Sequence, residues 1–178
     1  MRICVLLCML LALPLRAQTE LGTSSAPSNA WGLVSVHRVW LPQDNNRHND
    51  GFGFCFFSSI DDDRRWWAGL NFITTGIRRR DAMALEGGLG VWLAGTARLG
   101  AFSYLTTGMG ASSNSGLAGF DFFTDPSMTF GWASQAGIGA CAEITSNIRV
   151  QATVVGMWFT NEGVTPYGLQ LGIITGGP

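Results

Sequence analysis

The sequence contains no lysine, and charged residues make up 13% of its 178 positions, about half the share usual in soluble globular domains. Past residue 17, nine arginines stand against 12 acidic residues, a formal charge of −3, which argues against a polybasic surface for nucleic acid. Histidine is scarce: only His37 and His48 occur, and none follows residue 48. Beyond the N-terminal segment the cysteines are Cys55 and Cys141, and neither belongs to a CxxC or Cys/His cluster. No metal site or cofactor is therefore expected. Two small buried thiols are the expected state, with a disulfide as the alternative in an exported protein. Helical periodicity is almost absent, which removes bundles and α/β folds from consideration.

What is abundant is glycine, at 24 residues, well above its usual share of roughly 7%. The N-terminal "MRICVLLCMLLALPLRA" has an early Arg2, an apolar run from Ile3 to Leu15 and the small Ala17. These are the three regions of a secretory signal peptide, and the run is too short to span a bilayer as a helix. Cleavage is expected near Ala17–Gln18. The expected organisation is a signal peptide over 1–17, a linker over 18–30 and one domain over 31–178.

That domain alternates with a period of two. In 128–144 the even positions run Met128, Phe130, Trp132, Ser134, Ala136, Ile138, Ala140, Ala142 and Ile144, against Thr129, Gly131, Gln135, Gly137, Gly139, Cys141 and Glu143 among the odd ones. One face is apolar and the other small or polar, as in a strand. The segment 148–159 repeats the pattern, and "TSN" at 145–147 supplies a turn between them. The same test predicts strands over 31–41, 51–60, 66–77, 83–93, 98–110, 128–144, 148–159 and 167–176. Their connections alternate between longer and shorter, the length asymmetry of a transmembrane barrel. Trp40, Phe52, Phe130, Trp132, Trp158 and Tyr167 fall near the longer connections, and Trp66 and Trp67 near the shorter ones, where interfacial girdles would sit. The predicted fold is all-β: a closed antiparallel up-and-down transmembrane barrel of eight strands. Gly53, Gly88, Gly90, Gly137, Gly139, Gly168 and Gly172 are expected to face its narrow lumen.

The hairpin "FGWASQAGIGACAEITSNIRVQATVVGMWF" and the closing "YGLQLGIITG" resemble the small eight-stranded outer-membrane β-barrel family, the OmpA-like and OmpX-like barrels. In looser form the resemblance covers 31–176. It implies an outer-membrane location reached through a Sec-type signal, contact with outer-membrane lipid and lipopolysaccharide, insertion by the barrel-assembly machinery and a monomeric barrel. The family usually finishes on an aromatic residue that this machinery recognises, whereas this sequence reads "GIITGGP".

Charged residues at mid-depth should turn inward, because a lipid-facing charge there costs roughly 2–4 kcal/mol. Glu86 and Arg149 are thus candidates for a lumen polar network and for direct pairing, with Asn71, Gln135, Glu143, Gln151 and Gln170 as alternative or bridging partners. Arg78, Arg79 and Arg80 are candidates for contact with lipopolysaccharide phosphates. Phe120, Phe122 and Phe123, in the long connection 111–127, are candidates for an unknown surface partner. "DDD" at 61–63 reads as a charged turn, with a divalent cation as the alternative. Ser35 and His37 share a face and form a conceivable catalytic pair. A lipid A deacylase resemblance, however, would call for a histidine and serine two apart on a late strand, which this sequence does not have.

Three readings stay open: a non-enzymatic outer-membrane barrel with a structural or surface-interaction role, a soluble exported barrel binding a small apolar ligand, and a lipid A-modifying barrel enzyme.

Overall fold

A computed structural model describes residues 30–42, 47–77, 80–95, 99–114 and 124–176. The expected signal peptide and nearly all of the expected linker lie outside the described residues. Eight strands run in chain order: β1 (Ala30–Leu41), β2 (Arg47–Ser59), β3 (Trp66–Ile77), β4 (Arg80–Gly95), β5 (Leu99–Ser113), β6 (Thr129–Thr145), β7 (Ile148–Phe159) and β8 (Tyr167–Gly176). Each pairs antiparallel with its sequence neighbours, and β1 pairs with β8, so the barrel is closed. Closure leaves no edge strand, and ladder partners reach the backbone groups of every strand.

Three strands run further than their apolar patterns suggest. β2 begins at Arg47 because Arg47, His48 and Asn49 pair with Leu41, Trp40 and Val39. β4 begins at Arg80, opposite Ile77. β5 extends to Ser113, opposite Asp81. Polar side chains at a strand end do not stop backbone pairing, and alternation alone misses them. The "RRRD" connection therefore shrinks to residues 78–79, and the asymmetry between the two ends rests on 114–128 and 160–166 against 96–98 and 146–147.

The turn over 60–65 is held from within. The Asp61 carbonyl accepts from the Arg64 amide at 3.0 Å, and its carboxylate accepts from the Trp66 amide at 2.8 Å. Arg64 takes a left-handed conformation, φ 54°. Asp61 of "DDD" is thus committed to turn geometry.

The alternation sorts the side chains as a barrel in lipid requires. Val34, Val36, Phe54, Phe56, Leu70, Leu85, Leu89, Leu105, Ile138, Val154, Leu169, Leu171 and Ile173 are all more than two-fifths exposed on the outside. Phe130, Trp132, Trp158 and Tyr167 stand exposed towards the long-loop end, and Trp40 stacks on Tyr167 with ring centroids 6.1 Å apart. At the other end the girdle expectation needs correction. Trp66 faces out, but Trp67 is buried in the lumen, because adjacent residues on a strand point to opposite faces.

The lumen is filled in three layers. At the short-turn end Trp31, Leu33, Phe57, Trp67, Trp92 and Phe102 pack around the free, buried Cys55 and Cys141. At the long-loop end Val39, Leu41, Ile73, Ile77, Val155, Met157, Phe159 and Val164 form a second apolar cluster. A polar layer separates them. Two cross-strand glycines make the aromatic layer possible. A Cβ on Gly90 would lie 1.9 Å from the Trp67 ring, and one on Gly137 would lie 2.5 Å from Tyr104.

Candidate functional site

The polar layer is built from one or two inward residues per strand. Asn71 on β3 donates from Nδ2 to Glu86 Oε2 on β4 at 3.0 Å and to Gln135 Oε1 on β6 at 3.1 Å. Its Oδ1 accepts from Cys55 Sγ on β2 at 2.7 Å. Thr106 on β5 donates to Glu86 Oε2 at 2.5 Å. Gln135 Nε2 donates to the Tyr104 hydroxyl at 2.5 Å, and Tyr104 donates to Gln170 Oε1 on β8 at 3.2 Å. Gln170 Nε2 then donates to Ser35 Oγ on β1 at 2.8 Å, and Ser35 donates to the Gly53 carbonyl at 3.3 Å. One hydrogen-bonded chain thereby ties seven of the eight strands together across the lumen. Burial strengthens each such bond and makes each lost partner costly.

The structure brings Asn71, Glu86, Gln135 and Gln170 into this network and places Gln151 beside it, lining an internal cavity of about 20 Å³. Glu86 is 1% exposed, and its Oε1 has no hydrogen-bond partner. Of the candidate pairings, the direct one between Glu86 and Arg149 is not formed, and the alternatives through Asn71 and Glu143 are. Arg149 stands directly opposite Glu143 in the β6–β7 register and pairs with it at 3.4 Å. Both lie near the short-turn end, and a cross-strand neighbour is reached more readily than a residue half a barrel away. The sequence reading missed Ser35, Cys55, Tyr104 and Thr106 as network members. Their inward parity was the available signal, but small or mixed-character side chains carry no charge to draw notice.

Ser35 and His37 both face the lumen and are buried, yet the Ser35 hydroxyl is engaged by Gly53 and Gln170. The two do not form a nucleophile–base pair, which would need a hydrogen bond between them.

The long-loop mouth carries a second polar cluster. Arg80 pairs through Nη1 with Glu162 at 3.0 Å and donates from Nη2 to the carbonyls of Ser112, at 3.1 Å, and Ser127. Glu162 also accepts from the Ser112 hydroxyl. Asn161 Nδ2 donates to Ser112 Oγ at 3.0 Å and to the Thr129 carbonyl at 3.3 Å. Val164, in the same connection, is fully buried in the outer apolar cluster. The segment 160–166 is therefore folded as a strap across the mouth, and Arg80 is turned into that mouth. Arg78, Arg79, Phe120, Phe122 and Phe123 lie outside the described residues.

A closed antiparallel eight-stranded barrel with an apolar exterior and a packed interior is the architecture that the small outer-membrane barrels also have. Solved structures agree. Neisserial surface protein A matches with a TM-score of 0.64 at 11% identity, covering 84% of this chain and 98% of that one. Ail, the attachment invasion locus protein of Yersinia pestis, matches at 0.52 and 14% identity, covering 82% and 97%. The N-terminal barrel domain of Pseudomonas aeruginosa OprF matches at 0.50 and 15% identity, covering 82% and 97%. At these identities the likeness is one of fold. No family model matches the sequence, and no curated relative matches it.

Proposed function

We propose that this protein is a non-enzymatic outer-membrane β-barrel with a structural or surface-interaction role in the envelope, inserted by the barrel-assembly machinery and working as a monomer. The observation that carries this reading is the apolar exterior of a closed barrel whose interior is already filled. The outside is apolar over most of its height, while the inside holds two apolar clusters around a layer of amides, hydroxyls and the Glu86 carboxyl. A soluble barrel binding an apolar ligand needs a polar exterior and an interior of about 300–1,000 Å³. This lumen is packed to a residual cavity of about 20 Å³. Lipid A modification finds no support in the Ser35–His37 geometry.

Interaction would then fall to the connections at the long-loop end. Arg78 and Arg79 are proposed to meet lipopolysaccharide phosphates, and Phe120, Phe122 and Phe123 to meet a surface partner. Envelope fractionation tests the reading. The protein is expected with outer membranes, resistant to extraction by salt; recovery in the soluble periplasm would contradict it.

A further inference from the structure

His37 stands between the polar layer and the outer apolar cluster, after Ser35 and before Val39 on the inward face of β1. It is 3% exposed, and neither Nδ1 nor Nε2 has a hydrogen-bond partner. Glycines make room for the ring. Gly51 on β2 lies directly opposite it, and on β8 its partner Gln170 is flanked on the inward face by Gly168 and Gly172. A Cβ on Gly51 would lie 2.4 Å from His37 Nε2 and 1.9 Å from the Thr74 carbonyl oxygen of β3. The ring thus rests over Gly51, close to that carbonyl without bonding to it, and is held by shape.

A neutral imidazole carries one donor, whereas an imidazolium carries two donors and a full charge. Among the described residues no anion stands ready to receive that charge. β3 and β8 carry no charged residue, and on β1 Arg38 is the only one besides His37. On β2, Asp50 points outwards with both oxygens bound by Arg38, and Arg47 and His48 are exposed beyond it. Inside, Glu86 accepts from Asn71 and Thr106, and Glu162 of the strap is held by Arg80. An unpaired charge in a packed interior is costly. A protonated His37 therefore finds acceptors only where the long-loop end of β1 parts from its neighbours and admits water. The parting would fall at Arg38–Leu41, whose partners on β2 are the polar Arg47–Asp50.

We propose that His37 is an acid-sensitive latch on the β1 seam: the neutral ring completes the packing, and its protonation loosens the long-loop end of β1 from β2 and β8.

The protein, refolded into vesicles of phosphatidylcholine, would be unfolded with urea between about pH 8 and pH 5, alongside His37→Gln, His48→Gln and Glu86→Gln. Linkage to one proton predicts that the wild-type unfolding constant rises by up to about tenfold for each pH unit below about 6.5. The rise should be absent from His37→Gln and kept in the other two variants. Over the same range amide exchange should accelerate at Arg38–Leu41 and stay slow in β6. A further readout needs no variant. Of the two histidine ring signals in the NMR spectrum, that of His48 should titrate while the barrel stays closed, and that of His37 only together with lost protection in β1. Retained heat-modifiable gel mobility would certify each variant as folded. A wild-type stability that does not fall in acid would overturn the proposal. So would a fall that survives His37→Gln, or one abolished by His48→Gln or Glu86→Gln.

Discussion

Glu86 concentrates the energetic logic of the interior at a single side chain. Its Oε2 accepts from Asn71 and Thr106 while its Oε1 meets no donor. Replacing it by alanine would strand Asn71 and Thr106, at about 1–3 kcal/mol in unfolding measured by denaturant in detergent or vesicles. Glu86→Gln keeps an acceptor at that position and should cost less. Because Arg149 pairs with Glu143 instead, Glu86→Ala and Arg149→Ala should add to within about 0.5 kcal/mol. A larger coupling would indicate a link between the two sites that the hydrogen-bond pattern does not contain. The inward direction of both residues was legible in the sequence, since alternation fixes the face once the strand is known. Their partners Asn71 and Glu143 stood among the candidates, but nothing in the sequence singled them out. Which inward residues meet depends on the stagger between strands, and no single strand's pattern encodes it.

At the scale of elements, the strands were legible because β7, for example, keeps one parity apolar from Ile148 to Trp158 and the other inward from Arg149 to Phe159. The ends were less legible, since Arg47–Asn49 and Arg80 join the ladder through backbone alone. The "WW" pair at 66–67 shows a further limit. Bulk near a rim suggests a girdle, yet parity sends Trp67 into the space Gly90 leaves open. Gly90→Ala should overpack that site and cost about 1–3 kcal/mol, whereas Gly156→Ala, whose Cβ would meet nothing within 4 Å, should be near neutral. The strap over 160–166 depends on Glu162 reaching Arg80. Glu162→Ala is expected to speed proteolytic cleavage within the strap while leaving the barrel folded. Unchanged cleavage would mean that Val164 and the backbone bonds hold the strap unaided.

For the molecule as a whole, three filled layers block the lumen, so reconstitution into planar bilayers should show no steady open-channel conductance. A large stable conductance would require the polar layer to be a water path. Every such expectation assumes that the exterior meets lipid and that the interior does not. Trp66 and Trp67 test that assumption most directly, being adjacent in sequence but 40% and 2% exposed. Two variants, one with Trp66 and one with Trp67 as its only tryptophan and phenylalanine at the other six tryptophan positions, would be refolded into vesicles of bromine-labelled lipid, and their fluorescence compared with that in unlabelled vesicles. Trp66 should be strongly quenched and Trp67 largely protected. Equal quenching of both, or protection of both, would contradict a barrel whose wall at this point separates hydrocarbon from a packed core.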